Sequence, residues 1–475
     1  MSRPKTAESL RPEVVNLSGG FPRSIIAATI PVMDELFDLP ASDIQRSEHG
    51  GRGRPRVQRP NRAQIELRSV DLEGLLPADH RARLVWAFVE GLDLEPLYER
   101  IRATEGEPGR PPIDPAILTA LWLYATIEGV GSARALDRLC AEHDAYRWLC
   151  GGVGVNYHTL ADFRVEHGAL FDRLLTESVA ALVVEGLVTL DRVAQDGVRV
   201  RAGAGGKSFR RRDALRRALT EAEGQVAMLR AELDDDPAAT SRRVAAARER
   251  AARERAERAR RALARLPELE ARKARPTYRG RRDVPPEAST TDPDASFMKM
   301  PGGGHRPAYN AQFATDTASQ IVVGLDIATE TDQRQLGPMV DQLKGRYGRA
   351  PAEHLVDGGY RNLADLTRLA GPDCGTIVYL PVGRPRDRAR DPHRPRRGDS
   401  PAVADWRVRM GTGGAREIYR QRAATAECVN AIARNRGLQA FRVRGRAKVR
   451  AVLLWFALAH NLMRAISLRA AVRAT

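Results

Sequence analysis

Two aspartates stand inside stretches that otherwise have the apolar, β-branched composition of buried strands. Asp196 lies in VAQDGV, at the centre of the first predicted strand, and Asp357 lies in HLVDGGY, at the end of a later one. A carboxylate in an apolar strand costs free energy unless it is paired or bound to a cation. Two such groups on neighbouring strands, with a glutamate from a C-terminal helix, can hold two Mg²⁺ ions about 4 Å apart. That arrangement performs in-line phosphodiester chemistry: one ion activates water or a 3′-hydroxyl, and the other stabilises the leaving oxygen.

Other chemistries lack the residues they need. The segment AGAGGKS resembles a phosphate-binding loop, but Arg201 stands where its first glycine belongs, and Ser208 replaces the third glycine of a dinucleotide motif. The nine histidines include no HExxH spacing, and no GxSxG is present. Oxygen ligands suit Mg²⁺ or Mn²⁺. The four cysteines show no CxxC spacing, which argues against a disulfide scaffold and a zinc finger and fits a reducing cytosol: Cys140, Cys150, Cys374 and Cys428.

The residues before the first predicted strand show helical periodicity, and we expect a helical DNA-binding domain over 66–186. Apolar residues recur at i, i+3 and i+4, and Thr159 is a plausible N-cap. Two of these predicted helices, Pro115–Glu128 and Ala133–Glu142, are joined by a Gly-containing turn and have the outline of a helix-turn-helix. Arg134 and Arg138 lie on the outer face of the second helix. An ordinary αα corner has the same outline. The predicted helices are Arg81–Leu92, Glu95–Ile101, Pro115–Glu128, Ala133–Glu142, Thr159–Glu166 and Leu170–Gly186.

From Leu187 the pattern changes to short strands interrupted by one long helical segment. From Leu215 apolar residues alternate spacings of four and three, which predicts a coiled-coil hairpin inserted at 210–275. Without that insertion the order is βββαβαβα, the order of an RNase H-like mixed sheet. We therefore expect a mixed α+β fold, with a catalytic domain over 187–475, a disordered loop at 383–400 and a helical C-terminus.

Charge and composition indicate a polyanionic partner. Lys and Arg number 77 against 60 Asp and Glu, which leaves a formal charge of +17 on 475 residues. Residues 1–65 end in a Gly/Arg/Pro-rich stretch and are expected to form a flexible basic segment. The N-terminus has no apolar segment of a signal peptide, and the longest apolar run, 451–459, is too short to span a bilayer. We expect a cytoplasmic protein that does not bind membranes.

Four sequence blocks, in this order, resemble the bacterial insertion-sequence transposases of the DDE type. They are QDGVRVRA with KSFRR, then DPDASFMKMPGGGHRPAYNAQFATD, then LVDGGY, and finally YRQRAATAECVNAIARNRGL with the apolar segment that follows it. The resemblance covers nearly everything after about residue 65. It is closest to the group with an InsH-like helical N-terminal domain, the "eleven-eighty-two" group.

The resemblance implies a catalytic and metal-binding triad of Asp196, Asp357 and Glu427, with two Mg²⁺ or Mn²⁺ ions. Tyr419, Arg422 and Arg434 match the family's accompanying Tyr-Arg-Glu-Lys pattern, in which they are expected to contact DNA. In this chain Arg422 precedes Glu427 by five residues, where four is the commoner spacing, and Arg434 replaces the lysine. Glu417 is a rival for the third carboxylate, and a surface position is the favoured interpretation for it.

The implied function is transposition of a DNA element. The enzyme would bind the terminal inverted repeats in double-stranded DNA, hydrolyse a phosphodiester to free a 3′-hydroxyl and join it to target DNA. Pairing two ends requires a homodimer or higher assembly, associated with the bacterial nucleoid. Two other classes stay open: a decayed copy that binds element ends and represses without catalysis, and a structural coiled-coil protein that binds RNA. Metal-dependent strand cleavage separates the first from both.

Overall fold

The computed structural model describes residues 71–103, 111–235, 239–275, 280, 282–383 and 390–474. The predicted flexible segment 1–65 therefore lies outside the described residues. Residues 69–475 form one compact unit, within which a helical N-terminal region packs beside a mixed sheet. The predicted mixed α+β fold is confirmed.

Among the described residues, seven α-helices precede the sheet. They lie at the places where the apolar periodicity predicts them, with one addition, α5. Asn156 is the N-cap of α6 because its side chain accepts a hydrogen bond from the Thr159 backbone N–H at 3.0 Å. The prediction of Thr159 as N-cap is therefore wrong by one turn, since an Asn three residues earlier already satisfies that N–H. The helices are α1 (Arg81–Glu90), α2 (Glu95–Tyr98), α3 (Pro115–Ile127), α4 (Ala133–Glu142), α5 (Asp144–Cys150), α6 (Tyr157–Glu166) and α7 (Gly168–Val184).

In the part of the chain that the structure describes, six strands form one mixed sheet with β1 at its centre. Its order is β4–β5–β1–β7–β8. β4 and β6 pair with two successive parts of the same edge of β5. β1 is antiparallel to β5 and parallel to β7, which is parallel to β8. This is the RNase H-like topology that the order of elements predicts. The strands are β1 (Arg192–Arg201), β2 (Phe209–Arg210), β3 (Ala288–Ser289), β4 (Ser296–Lys299), β5 (His305–Asp316), β6 (Val322–Ala328), β7 (Glu353–Leu355) and β8 (Ile377–Tyr379).

A long helical hairpin leaves the sheet after β1. Its helices are α8 (Arg212–Asp235) and α9 (Ala239–Ala274), and Leu215 and Leu229 of the predicted heptad seam are buried between them. At the base of the hairpin, β2 pairs with β3 in a separate two-stranded sheet. The side chain of Arg265 on α9 is buried and donates to the Ala295 carbonyl at 2.8 Å, which ties the hairpin to the start of β4.

The remaining helices cover the two faces of the sheet. Of the predicted loop 383–400, residues 383 and 390–400 are described, and Asp399 there pairs with Arg407 in a buried contact of 2.7 Å. The helices are α10 (Leu336–Tyr347), α11 (Leu363–Leu369), α12 (Pro401–Met410), α13 (Gly413–Arg422), a π-helical turn (Ala423–Glu427), α14 (Cys428–Asn435) and α15 (Arg446–Ala474).

The helix α15 joins the two halves of the protein. By length and apolar composition it could cross a membrane, but 72% of its most apolar stretch is buried inside the protein. The ring of Trp455 packs on Phe171 of α7 at 4.1 Å, and its N–H donates to the Arg164 carbonyl at 3.0 Å. Asn461 bonds both backbone groups of Val322 on β6, each at 2.8 Å. The helices before the sheet therefore share one apolar core with the last helix and the sheet.

Candidate active site

Asp196 lies near the middle of β1, two residues beyond the point where its parallel neighbour ends. Leu355, the last residue of β7, is in register with Ala194. One carboxylate oxygen of Asp196 accepts from the Gly197 backbone N–H at 2.9 Å, and the other accepts from the Asn430 side chain on α14 at 3.1 Å. Burial raises the pKa of Asp196 to about 6, partly offset by Arg422, and the charges of Asp357 and Asp332 raise it further. The site therefore favours an added positive charge beside this carboxylate.

Asp357 follows β7 by two residues and turns the chain into a short 3₁₀ segment, Gly358–Tyr360. Its carboxylate accepts from the Gly359 backbone N–H at 2.8 Å, so the side chain is held at the carboxyl end of the strand. A Cβ at Gly359 would lie 2.9 Å from the same carboxylate oxygen, which is why glycine suits that position. Parallel pairing of β1 with β7 brings Asp357 beside Asp196, as the two strand-borne aspartates predict.

Glu427 lies at the end of a single π-helical turn between α13 and α14. In a π turn the backbone bonds run from i to i+5, so residues five apart lie on one helix face, as residues four apart do in an α-helix. The unusual spacing of five between Arg422 and Glu427 is thus absorbed by one widened turn. Such turns are frequent at functional sites.

Arg422 joins two of the three predicted carboxylates. One guanidinium nitrogen lies 3.6 Å from an oxygen of Asp196, and the other lies 3.0 Å from an oxygen of Glu427. The guanidinium also stacks over the ring of Tyr419 at 5.9 Å. The Arg422 side chain is 14% exposed, whereas that of Glu427 is 59% exposed. A cation of the protein itself therefore occupies the space between strand β1 and the helix that carries the glutamate.

The prediction from sequence missed a fourth carboxylate, Asp332. Asp332 lies in the loop that precedes α10, which begins at Leu336. One of its oxygens accepts from the side-chain amides of Asn310 and Gln312 on β5, both at 2.8 Å. A Cβ on Gly197 would lie 2.3 Å from that oxygen, so Asp332 can approach β1 only because residue 197 is glycine. An acidic residue in the short loop between a strand and a helix was the available signal.

The other predicted site residues fall at three places. Arg134 and Arg138 lie on the exposed face of α4, where Arg134 stacks on Tyr157 at 5.1 Å. Tyr419 is half-buried beneath Arg422, and burial raises its pKa. Arg434 lies in the last turn of α14 and is exposed. Glu417, the rival glutamate, is 70% exposed and pairs with Arg420 at 2.5 Å, as its surface interpretation predicts.

Two known families match the chain. The transposase domain (DUF772) matches residues 70–166, and the transposase DDE domain matches residues 285–462. Asp357 and Glu427 lie inside the second match. Asp196 lies between the two, on the far side of the inserted hairpin, and reaches the site through the pairing of β1 with β5 and β7. No curated protein and no solved structure matches the chain significantly.

Proposed function

This chain belongs to the DDE transposases of insertion sequences, and on that premise we propose that it cleaves and joins DNA at Asp196, Asp357 and Glu427. The substrate is double-stranded DNA that carries the terminal inverted repeats of its own element. The products are a free 3′-hydroxyl and, after transfer, a strand joined to target DNA. The observation that supports this proposal best is the convergence of Asp196 and Glu427 on one cation, Arg422, with Asp357 on the adjacent strand.

The chemistry of these side chains fits the divalent cation that this family uses. Carboxylate oxygens are the ligands that Mg²⁺ and Mn²⁺ prefer, and two of the carboxylates already hold a positive guanidinium. Among the residues that the structure describes, no group of three or more His, Cys, Asp or Glu side chains is already assembled at ligand distance. Asp196, Asp357 and Glu427 would hold the cation once Arg422 gives up its contact with Glu427, whose exposed side chain is able to move.

Divalent ions bound there would activate the attacking water or 3′-hydroxyl and neutralise charge on the leaving oxygen. The chain itself supplies orientation. Gly197 and Asn430 hold the two oxygens of Asp196, and Gly359 holds Asp357. Asp332 fixes the amides of Asn310 and Gln312 on the opposite face of β1. Arg422, released from Glu427, is placed to neutralise a phosphate at the same point.

Cleavage of labelled element-end DNA by four variants tests the proposal. Asp196→Asn, Asp357→Asn and Glu427→Gln each remove one negative charge at nearly constant shape. We expect each to lower Mg²⁺-dependent nicking by roughly 1000-fold or more, with DNA binding unchanged or tighter because repulsion of the phosphate is reduced. Because the three act as a unit, a double variant is expected to be no worse than a single one.

Glu417→Gln is the matched control, since Glu417 lies one helix away on the surface and pairs only with Arg420 among the described side chains. It is expected to keep most of the nicking activity. Nicking by Glu427→Gln with loss in Glu417→Gln would move the third carboxylate to Glu417. Nicking by Asp196→Asn or Asp357→Asn would refute the mechanism. DNA binding by the wild type without any metal-dependent nicking would favour the decayed repressor.

A further inference from the structure

A small cavity lies where the turn between α3 and α4 meets the segment that follows α14, and we call it the arginine cavity. It has a volume of about 30 Å³, which is room for about two water-sized atoms. Its three charged lining residues are arginines, and among the described residues no carboxylate lines it. They are Arg164 on α6, and Arg436 and Arg442 in the segment after α14. The cavity therefore gathers positive charge from the helical N-terminal region and from the C-terminal part of the chain.

Close contact between two glycine-containing turns brings these arginines together. Gly129 follows α3 with a φ of 75°, and Gly437 follows α14 with a φ of 88°, a conformation that favours glycine. A Cβ on Gly437 would lie 3.1 Å from the Gly129 carbonyl oxygen, so the two backbones approach each other directly. Arg164 donates to the Gly131 carbonyl at 2.8 Å, and a Cβ on Gly131 would lie 3.9 Å from Nε of Arg442. Two of the three arginines therefore meet at one residue of the α3–α4 turn.

Parts of two of these guanidinium groups are buried without an acceptor. Nε of Arg164 and Nη1 of Arg436 have no hydrogen-bond partner among the described residues. Burial and, after it, the charge of Arg442 lower the pKa of Arg164 to about 10. Burial and the charge of Arg81 lower the pKa of Arg436, against the opposite effect of Glu128, which itself lies 3.6 Å from Arg81. Because a buried donor without an acceptor costs free energy, the arginine cavity favours an anion that accepts these hydrogen bonds.

The donors of the arginine cavity suit a phosphate group. A guanidinium presents its N–H groups as a planar fork that matches two oxygens of a phosphate or a carboxylate. Three cations around one anion match a group with several acceptor oxygens, as a phosphate has. Arg442 is exposed, so a phosphate that belongs to a larger molecule can reach the cavity.

The surroundings of the arginine cavity indicate what that larger molecule is. The turn that contains Gly131 leads directly into α4, whose exposed face carries Arg134 and Arg138. In helix-turn-helix docking the helix after the turn enters the major groove, while the helix before the turn crosses the DNA backbone. A DNA phosphate beside α4 therefore comes close to the arginine cavity.

We propose that the arginine cavity binds one phosphate group and that this group belongs to the backbone of DNA that lies along α4. The phosphate site itself does not depend on the three carboxylates, whereas the assignment of DNA as its source rests on the proposed function. Arg436 directly follows α14, the helix whose Asn430 holds Asp196. A phosphate in the cavity thus ties the α3–α4 turn to the helix that supports the reactive carboxylate.

Thermal melting of the full chain in inorganic phosphate tests the site without DNA. The ionic strength is held constant with sodium chloride, and no divalent cation is added. A ligand that binds only the folded protein raises the melting temperature. For the wild type we expect a rise of about 2 °C at a phosphate concentration about tenfold above the dissociation constant. Arg442→Gln and Arg436→Gln are each expected to lose at least about half of that rise.

The affinity of the same variants for element-end DNA, measured against salt concentration, identifies the source of the phosphate. Each phosphate contact contributes about −0.9 to the slope of log K against log salt concentration. Both variants are therefore expected to lose about one unit of slope.

Arg473→Gln is the matched control, since Arg473 is an exposed arginine about 40 Å from Arg446 along α15. It is expected to keep both the phosphate response and the slope of the wild type. Absence of a phosphate response in the wild type, or a full response in both variants, would overturn the site. Loss of the response with an unchanged slope would show that the cavity takes free phosphate and would overturn its assignment to DNA. Failure of the proposed function is a separate result, because a wild type that does not nick element-end DNA in Mg²⁺ still shows the phosphate response.

Discussion

The two faces of β1 carry different chemistry, although the residues concerned are adjacent. Asp196 faces α14 and Arg422. Gln195 faces the other way and bonds Gln312 at 2.9 Å, the backbone of Gln335 at 3.1 Å and His354 at 3.0 Å. Alternation along a strand produces this separation. The buried polar network on the second face supports the strand whose first face carries the reactive carboxylate.

His354 makes the stability of this network depend on pH. Burial lowers the pKa of His354 from 6.5 to about 3. Between pH 6.5 and about pH 3, His354 is protonated in the unfolded chain but neutral in the folded chain. The free energy of unfolding therefore falls as the pH falls from 6.5 to about 3. The free energy of unfolding is expected to drop by about 2 kcal/mol between pH 7 and pH 5 on account of this residue. Urea unfolding of wild type and His354→Gln at both pH values measures the difference, which the variant should lack.

His158→Gln is the control for this measurement, because His158 is an exposed residue of α6. It is expected to keep the pH dependence of the wild type. If His354→Gln loses stability between pH 7 and pH 5 as steeply as the wild type, His354 is protonated in the folded protein at pH 5, and its burial does not have the effect described.

At the scale of the element, one π-helical turn decides whether Arg422 and Glu427 share a face. Ala424 is exposed within that turn. Its deletion shortens the spacing between Arg422 and Glu427 to four residues and is expected to turn the π-helical segment into an α-helix. Residues four apart in an α-helix still lie on one face. The deletion is expected to keep nicking within about tenfold. Insertion of one alanine after Ala424 rotates Glu427 by about 100° relative to Arg422, and a displaced catalytic group should cost at least about 100-fold.

Nicking of labelled element-end DNA by the deletion and the insertion, side by side, checks this prediction. The insertion serves as the control because it changes the length of the same turn by the same amount in the opposite direction. Equal loss in both variants would mean that the widened turn itself, rather than the shared helix face, is required.

At the scale of the whole molecule, the helices before the sheet do not close their apolar core by themselves. Trp455 of α15 packs among Phe163 and Phe171, so a fragment of residues 1–186 leaves these rings exposed to water. We expect the fragment to be helical by circular dichroism but to bind a hydrophobic dye and melt without a sharp transition. The full chain is expected to melt cooperatively without dye binding. A sharp melt of the isolated fragment would show that α15 is dispensable for this core.

Apolar periodicity and composition along the sequence predicted the helices of 71–186 other than α5, the core helix α15, the strand that carries Asp196 and the strand that precedes Asp357. These signals arise from neighbours a few residues apart, which is why they can be read without knowledge of packing. The order of four sequence blocks indicated the transposase family and its three carboxylates, and the family is confirmed. The roles of the individual carboxylates, and of Arg134 and Arg138, stay predictions.

Which distant groups meet depends on how the sheet and the helices pack together. The contact of Asn430 with Asp196 joins residues 234 apart in sequence, and the approach of Asp332 to β1 depends on amides of β5 and on the space left by Gly197. The position of the Arg422 guanidinium between Asp196 and Glu427 likewise depends on the packing of α13 and the π-helical turn against the sheet. Each of these contacts forms because burial of apolar surface elsewhere in the protein brings distant chain segments together. A pattern of neighbouring residues in the sequence therefore does not reveal which segments meet.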